Sequence, residues 1–274
     1  MQYELFKTEQ FTFFSLGSGS SGNCYYLGNS RYGILIDAGV GPRIIKKRLA
    51  KHGVDMSSIW AVLITHDHYD HIKSVGHLGE KNNIPVYATQ GVHRGINQTP
   101  LVKHKLNGSA RYISKGKPFM IEDLKITAFP VPHDSTENVG YFIEFGNQKL
   151  MIATDVGTIT DEIKHYMLQA NHLVIESNYD EEMLLNGHYP IHLKQRITNG
   201  TGHLSNRETA EFLAKNFSSK LKNIWLCHLS GDNNHPQVAY DTVAKELSNS
   251  GVRVGEQVSL SVFGRNVLSD KTFL

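Results

Sequence analysis

Between positions 66 and 71 the chain reads His66-Asp67-His68-Tyr69-Asp70-His71, three imidazoles and two carboxylates directly after an apolar run at 59–64. Imidazole nitrogen and carboxylate oxygen are common donors to divalent transition metals. On a strand, residues 66, 68 and 70 would share a face and 71 would not, and a regular helix cannot aim the whole set in one direction. A tight strand-to-helix loop splays them onto two adjacent metals, His66 and His68 serving one, Asp70 and His71 the other. A polar loop of solvated histidines is the bland alternative. So dense a donor set straight after a buried strand speaks against it.

Four more strand-like runs end the same way. Residues 126–132 lead into His133, 150–154 into Asp155, 173–175 into Glu176 and 224–227 into His228. Ligands of sheet proteins gather beyond the carboxyl ends of strands. Five strands delivering imidazoles and carboxylates to one edge build a metal site without a long loop.

The remaining pattern predicts strands over 11–16, 24–27, 34–37, 59–65, 86–88, 124–129, 139–145, 149–154, 172–175 and 224–227. Helical patterns fall at 42–52, 71–81, 160–168, 205–217 and 236–248. Pro42 in a first turn and Gly53 past an end mark one helix, and Ser205 with Glu208 forms a capping box for another. Hairpins in places and strand–helix alternation in others predict mixed sheets covered by helices.

Composition sets wider bounds. A length of 274 residues suits one large domain or two small ones, and 40% hydrophobic with 20% charged residues is the mixture of a folded soluble protein. No apolar run approaches the roughly 18 residues of a membrane span. Residues 1–7 lack the charged-then-apolar pattern of a secretion signal. Cys24 and Cys227 cannot make a disulfide framework, and both sit in apolar contexts that predict buried thiols. A cytoplasmic protein is expected. The net charge of +2 does not by itself argue for nucleic acid, whereas 15 histidines draw attention to the metal motif.

The chain resembles the metallo-β-lactamase superfamily, whose metal motif is His-x-His-x-Asp-His, and more narrowly its YycJ/WalJ-like branch. The resemblance runs through Ser-Leu-Gly-Ser-Gly-Ser-Ser-Gly-Asn-Cys (15–24), Ile-Leu-Ile-Asp-Ala-Gly (34–39) and Thr-His-Asp-His-Tyr-Asp-His (65–71). It continues through His-Asp-Ser-Thr-Glu-Asn-Val-Gly-Tyr (133–141), Ala-Thr-Asp (153–155), Glu-Ser-Asn-Tyr-Asp (176–180), Tyr-Pro-x-x-Leu-Lys-x-Arg-Ile (189–197), Gly-His-Leu-Ser-Asn (202–206) and Cys-His-Leu-Ser (227–230). It implies an α/β (α+β) fold, a four-layer αβ/βα sandwich with two mixed sheets, as one domain over 1–274. It also implies two divalent metal ions, Zn, Mn or Fe: one on His66, His68 and His133, the other on Asp70, His71 and His228. Asp155 would bridge them together with a water or hydroxide.

Gly-His203-Leu-Ser is similar to a segment of the tRNA 3′-processing endonucleases in which that histidine donates a proton and pairs with a glutamate, here Glu176. A turn histidine before the Ser205 cap, and a structural Glu176, are the plainer alternatives. Asp37, at the end of Ile-Leu-Ile, reads as orienting the ligand loop by hydrogen bonds or as a turn cap. Asp67 reads as solvent-facing. Residues 17–23, with Ser18 and Ser20, could cradle a phosphate through backbone amides or make a tight turn. The basic residues from Arg43 to Lys51 read as a solvated helix face. Lys194, Arg196 and Arg207 flank His203 and are candidate phosphate contacts.

The expected activity is phosphodiester hydrolysis, with a nucleic acid as substrate, in the manner of a 5′-to-3′ DNA exonuclease. A small-molecule phosphodiesterase is the near alternative. A thioester or lactam hydrolase leaves His203 without a task, and a redox di-iron protein would carry glutamate at position 68. A non-catalytic binding module is disfavoured because every ligand position is filled.

Overall fold

The structure, a computed structural model, describes residues 10–274, so the reading of residues 1–7 lies outside it. The chain first lays down β1 (Thr12–Gly17), β2 (Cys24–Gly28), β3 (Gly33–Ile36), α1 (Pro42–Lys51), β4 (Ile59–Leu63), α2 (Tyr69–Ile72), β5 (Val86–Thr89), α3 (Gln90–Gln98) and β6 (Ala110–Ile113). It then forms β7 (Phe119–Ile121), β8 (Leu124–Pro130), β9 (Val139–Phe145), β10 (Gln148–Ala153), α4 (Asp161–Met167), β11 (His172–Glu176), α5 (Glu181–Asn186), α6 (Ile191–Thr198), α7 (Asn206–Lys215), β12 (Asn223–Cys227), α8 (Pro236–Asn249) and β13 (Ser259–Val262). A final short strand, β14 (Thr272–Phe273), returns to the first sheet.

The strands make two seven-stranded sheets, ordered β14-β1-β2-β3-β4-β5-β6 and β13-β12-β11-β10-β9-β8-β7. Both are mixed. β1, β2 and β3 are antiparallel and β3 to β6 parallel, while β10 to β13 run parallel after the β7–β8–β9–β10 meander.

Strand alternation sorts the apolar residues into three layers. Ile34, Ile36, Ala61 and Leu63 of the first sheet meet Ile126, Tyr141, Ile152 and Trp225 of the second. On the outer side of the first sheet, Leu35, Val62 and Val86 pack under Ile45 and Leu49 of α1 and Val92 and Ile96 of α3. On the outer side of the second, Met151, Ile175 and Leu226 pack under Ile163 of α4, Leu213 of α7 and Val243 of α8. The stacking is therefore helix, sheet, sheet, helix. No helix among the described residues is long and apolar enough to cross a membrane.

The predicted helix at 71–81 is not continuous. It stops at Ile72 and resumes as a π-helical turn at His77–Lys81. The carbonyls that would have carried it forward are occupied: Asp70 O accepts from Asn23 N and His71 O from Ala38 N, while Ser74 N turns to Ala38 O. In α1, Ile45 and Leu49 are buried but Ile44 is exposed. Arg48 is not simply solvated, because its guanidinium donates to Leu16 O and Asn266 O. Cys24 and Cys227 are buried free thiols.

Candidate metal centre and cleft

In the second sheet β8, β10, β11 and β12 all run the same way, so their carboxyl ends share one edge. The carboxyl end of β4 is pinned to that edge, because Tyr141 Oη donates to Ile64 O over 2.7 Å and Val139 N to Thr65 O over 3.1 Å. Three polar residues at strand ends, Asp37, Asp155 and His228, have φ of 61°, 56° and 55°. That left-handed conformation is costly for residues with a Cβ and clusters at functional sites.

His66, His68, His133 and Asp155 offer one donor atom each within 4.8 Å of one another. His68 Nδ1 is 3.2 Å from His133 Nε2, and Asp155 Oδ1 is 3.6 Å from His133 Nε2 and 3.9 Å from His66 Nε2. Asp70, His71 and His228 form a second such group. Asp70 Oδ2 lies 3.5 Å from His71 Nε2 and 3.4 Å from His228 Nε2. Asp155 faces both groups, since its Oδ2 is 3.1 Å from His71 Nε2.

The other nitrogen of every ring is held. His66 Nδ1 meets Thr65 Oγ1 at 3.0 Å, His68 Nε2 meets Asp134 O at 3.2 Å, and His133 Nδ1 meets Gly202 O at 2.9 Å. His71 Nδ1 meets Asp37 Oδ2 at 2.7 Å and His228 Nδ1 meets Glu176 Oε1 at 2.8 Å. Asp37 is itself fixed by Thr65 N at 2.8 Å. Outer bonds of this kind set tautomer and ring orientation in metal sites.

The donor set fits a metal. His66 Nε2 is buried with no hydrogen-bond partner, in a cluster of nitrogen and oxygen donors. An orphaned buried polar atom needs an explanation, and a divalent cation supplies one. Electrostatics agree. Burial, then the neighbouring His71, holds His66 well below the usual imidazole range. His71 is pushed well above it, burial being outweighed by Asp155, Asp37 and Asp70. Asp155 stays ionised despite burial because His228, His71 and His66 surround it.

A family model of the beta-lactamase superfamily domain matches residues 32–220. The chain belongs to the metallo-β-lactamase superfamily. It is 34% identical over 241 residues to "Exodeoxyribonuclease YycJ" of Bacillus anthracis, covering 88% of this chain and 90% of that one. It is 34% identical over 246 residues to "Exodeoxyribonuclease WalJ" of Streptococcus pneumoniae serotype 2, covering 89% and 91%. In architecture it is similar to the metallo-β-lactamase fold protein YhfI from Bacillus subtilis, with a TM-score of 0.70, 16% identity, and 97% and 100% of the two chains covered. The chain thus has a metal-dependent hydrolase fold with histidine–aspartate clusters able to hold metal.

Beside these clusters the metallo-β-lactamase scaffold opens a cleft of about 170 Å³, whose lining includes Ser20, Tyr189, Leu193, Arg196, His203 and His228. His203 Nδ1 lies 2.9 Å from Glu176 Oε1, and the His203 side chain is 21% exposed while Glu176 is fully buried. Glu176 Oε2 accepts from Val156 N at 2.8 Å and Leu204 N at 3.1 Å. Burial works against protonation of His203, but Glu176 outweighs it and raises its pKa above the ordinary value.

The candidate phosphate contacts separate. The Ser18 hydroxyl is buried, accepting from His228 N at 2.9 Å and pairing with Tyr25 Oη at 3.0 Å, so it positions His228 and has no room for a phosphate. Ser20 lines the cleft. Lys194 Nζ donates to Leu185 O at 2.6 Å, and Arg207 pairs with Glu181 and Glu211 at 2.8 and 3.1 Å; neither lines the cleft. Arg196 does line it. Residues 17–23 make a tight turn closed by Gly22 N to Gly19 O at 2.9 Å and Gly19 N to Asn23 Oδ1 at 2.7 Å. Asp67 is not free in solvent, for it accepts from Thr136 N at 3.1 Å and from Thr136 Oγ1, tying the two histidine loops together.

Three residues escaped the sequence reading. Asn23 Nδ2 is 2.9 Å from His71 Nε2, Asn178 Nδ2 donates to His228 O at 2.7 Å, and the Asp134 carboxylate pairs with Arg196. Each lies inside a segment that carries the family resemblance, which was the only signal for it.

Proposed function

We propose that the protein is a dinuclear metal-dependent phosphodiesterase that acts on DNA as an exonuclease. One metal is held by His66, His68 and His133, the second by Asp70, His71 and His228, and Asp155 is shared. The donors are all nitrogen and oxygen, a set suited to Zn, Mn or Fe. Bound there, the metals supply an activated water and offset charge on the phosphoryl oxygens.

The observation that carries the reading is the His203–Glu176 pair, 2.9 Å apart, with His203 lining the cleft; together with Asp155 and His228 the pair makes a third cluster of donor atoms, beside the two groups to which we assign the metals. Glu176 takes His203 Nδ1, so Nε2 is the nitrogen left to hand a proton to a departing alkoxide. Glu176 is fixed by two backbone amides and also braces His228, so acid and ligand stand in one hydrogen-bonded frame. A departing nucleoside oxygen needs that proton; a thiolate does not. Two relatives that each cover about nine-tenths of their own length are named exodeoxyribonucleases, which supports DNA as the substrate. The two buried free thiols fit a reducing compartment, and we place the protein in the cytoplasm.

The test is hydrolysis by Zn- or Mn-loaded protein of bis(p-nitrophenyl) phosphate, of DNA labelled at either end, and of a thioester. The expected result is stepwise shortening of DNA from one end. Cleavage of the thioester alone would overturn the reading.

A further inference from the structure

Of the three basic residues near His203, Arg196 alone borders the cleft, and its neighbours explain how it is aimed. Its Nε donates to Asp134 Oδ2. Asp134 follows His133 in sequence, and its Oδ1, buried without a hydrogen-bond partner, lies 3.4 Å from His133 Nε2. The guanidinium is thereby anchored at the edge of the donor cluster. Among the described residues no other protein acceptor takes up its Nη donors. A guanidinium fixed through Nε and open at both Nη atoms is a fork for a phosphate oxygen pair.

The helix carrying it is fixed as well. Ile197 is buried against Tyr179 and Leu184, and the Ile197 carbonyl accepts from His203 N at 2.9 Å. Arg196 and His203 therefore sit at a set spacing along one cleft. The proposed function puts His203 at the departing oxygen, and Arg196 shares its cleft, so a phosphate taken by Arg196 is assigned to the leaving side.

We propose that Arg196 binds the phosphate that flanks the scissile bond on its leaving side, with Asp134 as its positioning residue, so that the site selects a chain of consecutive phosphates over an isolated diester. This rests on the phosphodiesterase reading above. Arg196 is half exposed, so Arg196→Ala should fold, which circular dichroism and metal content check.

Two measurements test the proposal on metal-loaded protein. In fluorescence anisotropy with a labelled phosphorothioate oligonucleotide, Arg196→Ala should weaken binding on the order of tenfold and flatten the slope of log Kd against log salt by about 0.7–0.9, the signature of one phosphate contact. Arg196→Lys should restore the slope while recovering only part of the affinity, because the fork is lost. In steady-state kinetics Arg196→Ala should raise KM for DNA and leave kcat/KM for bis(p-nitrophenyl) phosphate within about twofold, that substrate having no flanking phosphate. Asp134→Asn should keep both metals and weaken DNA binding by a smaller factor. Unchanged oligonucleotide affinity and salt slope in Arg196→Ala would overturn the proposal, and so would an equal loss on both substrates. If the unaltered protein cleaves neither diester, the phosphodiesterase reading fails first and takes this proposal with it.

Discussion

Each imidazole of the candidate centre is gripped at one ring nitrogen by a residue other than the seven assigned to metal, and the grips come from different parts of the chain. Thr65, Asp37, Gly202 O, Asp134 O and Glu176 do this for five rings. His203 is gripped in the same way, its Nδ1 by Glu176, but it is not one of the seven residues that we assign to the two metals. His203→Ala should therefore leave metal content intact and slow DNA cleavage by about 10²–10⁴-fold, the range for loss of a general acid. The deficit should shrink on bis(p-nitrophenyl) phosphate, whose nitrophenolate departs unprotonated. An equal loss on both substrates would point to a structural role, and a loss of metal would make His203 a ligand. The donor histidines and aspartates were legible because His66, His133, Asp155 and His228 each follow a strand-like run and His68, Asp70 and His71 complete the dense motif after the first of them. Asn23, Asn178 and Asp134 were not, since a carboxamide or carboxylate in a polar loop has no periodicity to mark it.

At the scale of elements, the metal loop is braided into the turns on either side. Asn23 N donates to Asp70 O and Gly39 N to Asn23 O, both at 2.8 Å, and Ala38 N to His71 O at 2.7 Å. This braid leaves no room beside Gly39, where a Cβ would stand 1.5 Å from Asp70 O and 2.7 Å from Asn23 N. Backbone cannot step aside as a flexible side chain does. Gly39→Ala should cost about 3 kcal/mol or more in urea unfolding, at the upper end for overpacking. It should also reduce metal held by Asp70, His71 and His228 before metal held by the other group. Gly41→Ala is the control, since a Cβ there meets only Ile44 Cδ1 at 4.0 Å. Equal stability and metal content in the two variants would remove the braid from the account. The strands of this region were readable from apolar runs. The helix at 71–81 was not, because its break is set by long-range hydrogen bonds rather than by helix propensity. α3 was hidden for a related reason: Gln-Gly-Val-His-Arg-Gly-Ile-Asn-Gln is a poor helical sequence, yet a Cβ at Gly95 would fall 1.9 Å from Asp67 Oδ2, so the site loop needs glycine there.

Across the whole molecule the two donor groups draw on both sheets. His66, His68, Asp70 and His71 follow β4 of the first sheet, whereas His133, Asp155 and His228 follow β8, β10 and β12 of the second. The layered sheets were expected from the family resemblance, but the pairing of the two-residue β14 with β1 was not, because so short a strand leaves no pattern. Metal held between the groups joins the sheets at their shared edge, so occupancy should couple to global stability. A ligand that binds only the folded state at a thousandfold excess over Kd adds about 4 kcal/mol per site. For a chain of this size each kcal/mol moves Tm by roughly 2–4 °C, so loading both sites should raise Tm on the order of 20 °C and chelation should reverse it. Protons compete with metal for imidazole nitrogen, and because the carboxylates around His71 hold it well above the ordinary histidine range near 6.5, the gain should keep growing as pH rises above that range and fade as pH falls through it. Asp155→Ala, which takes away the carboxylate facing both groups, should lose most of the gain at every pH. Differential scanning calorimetry with and without chelator at two pH values measures all three. A Tm that ignores chelation would mean that the histidine cluster does not bind metal between the sheets.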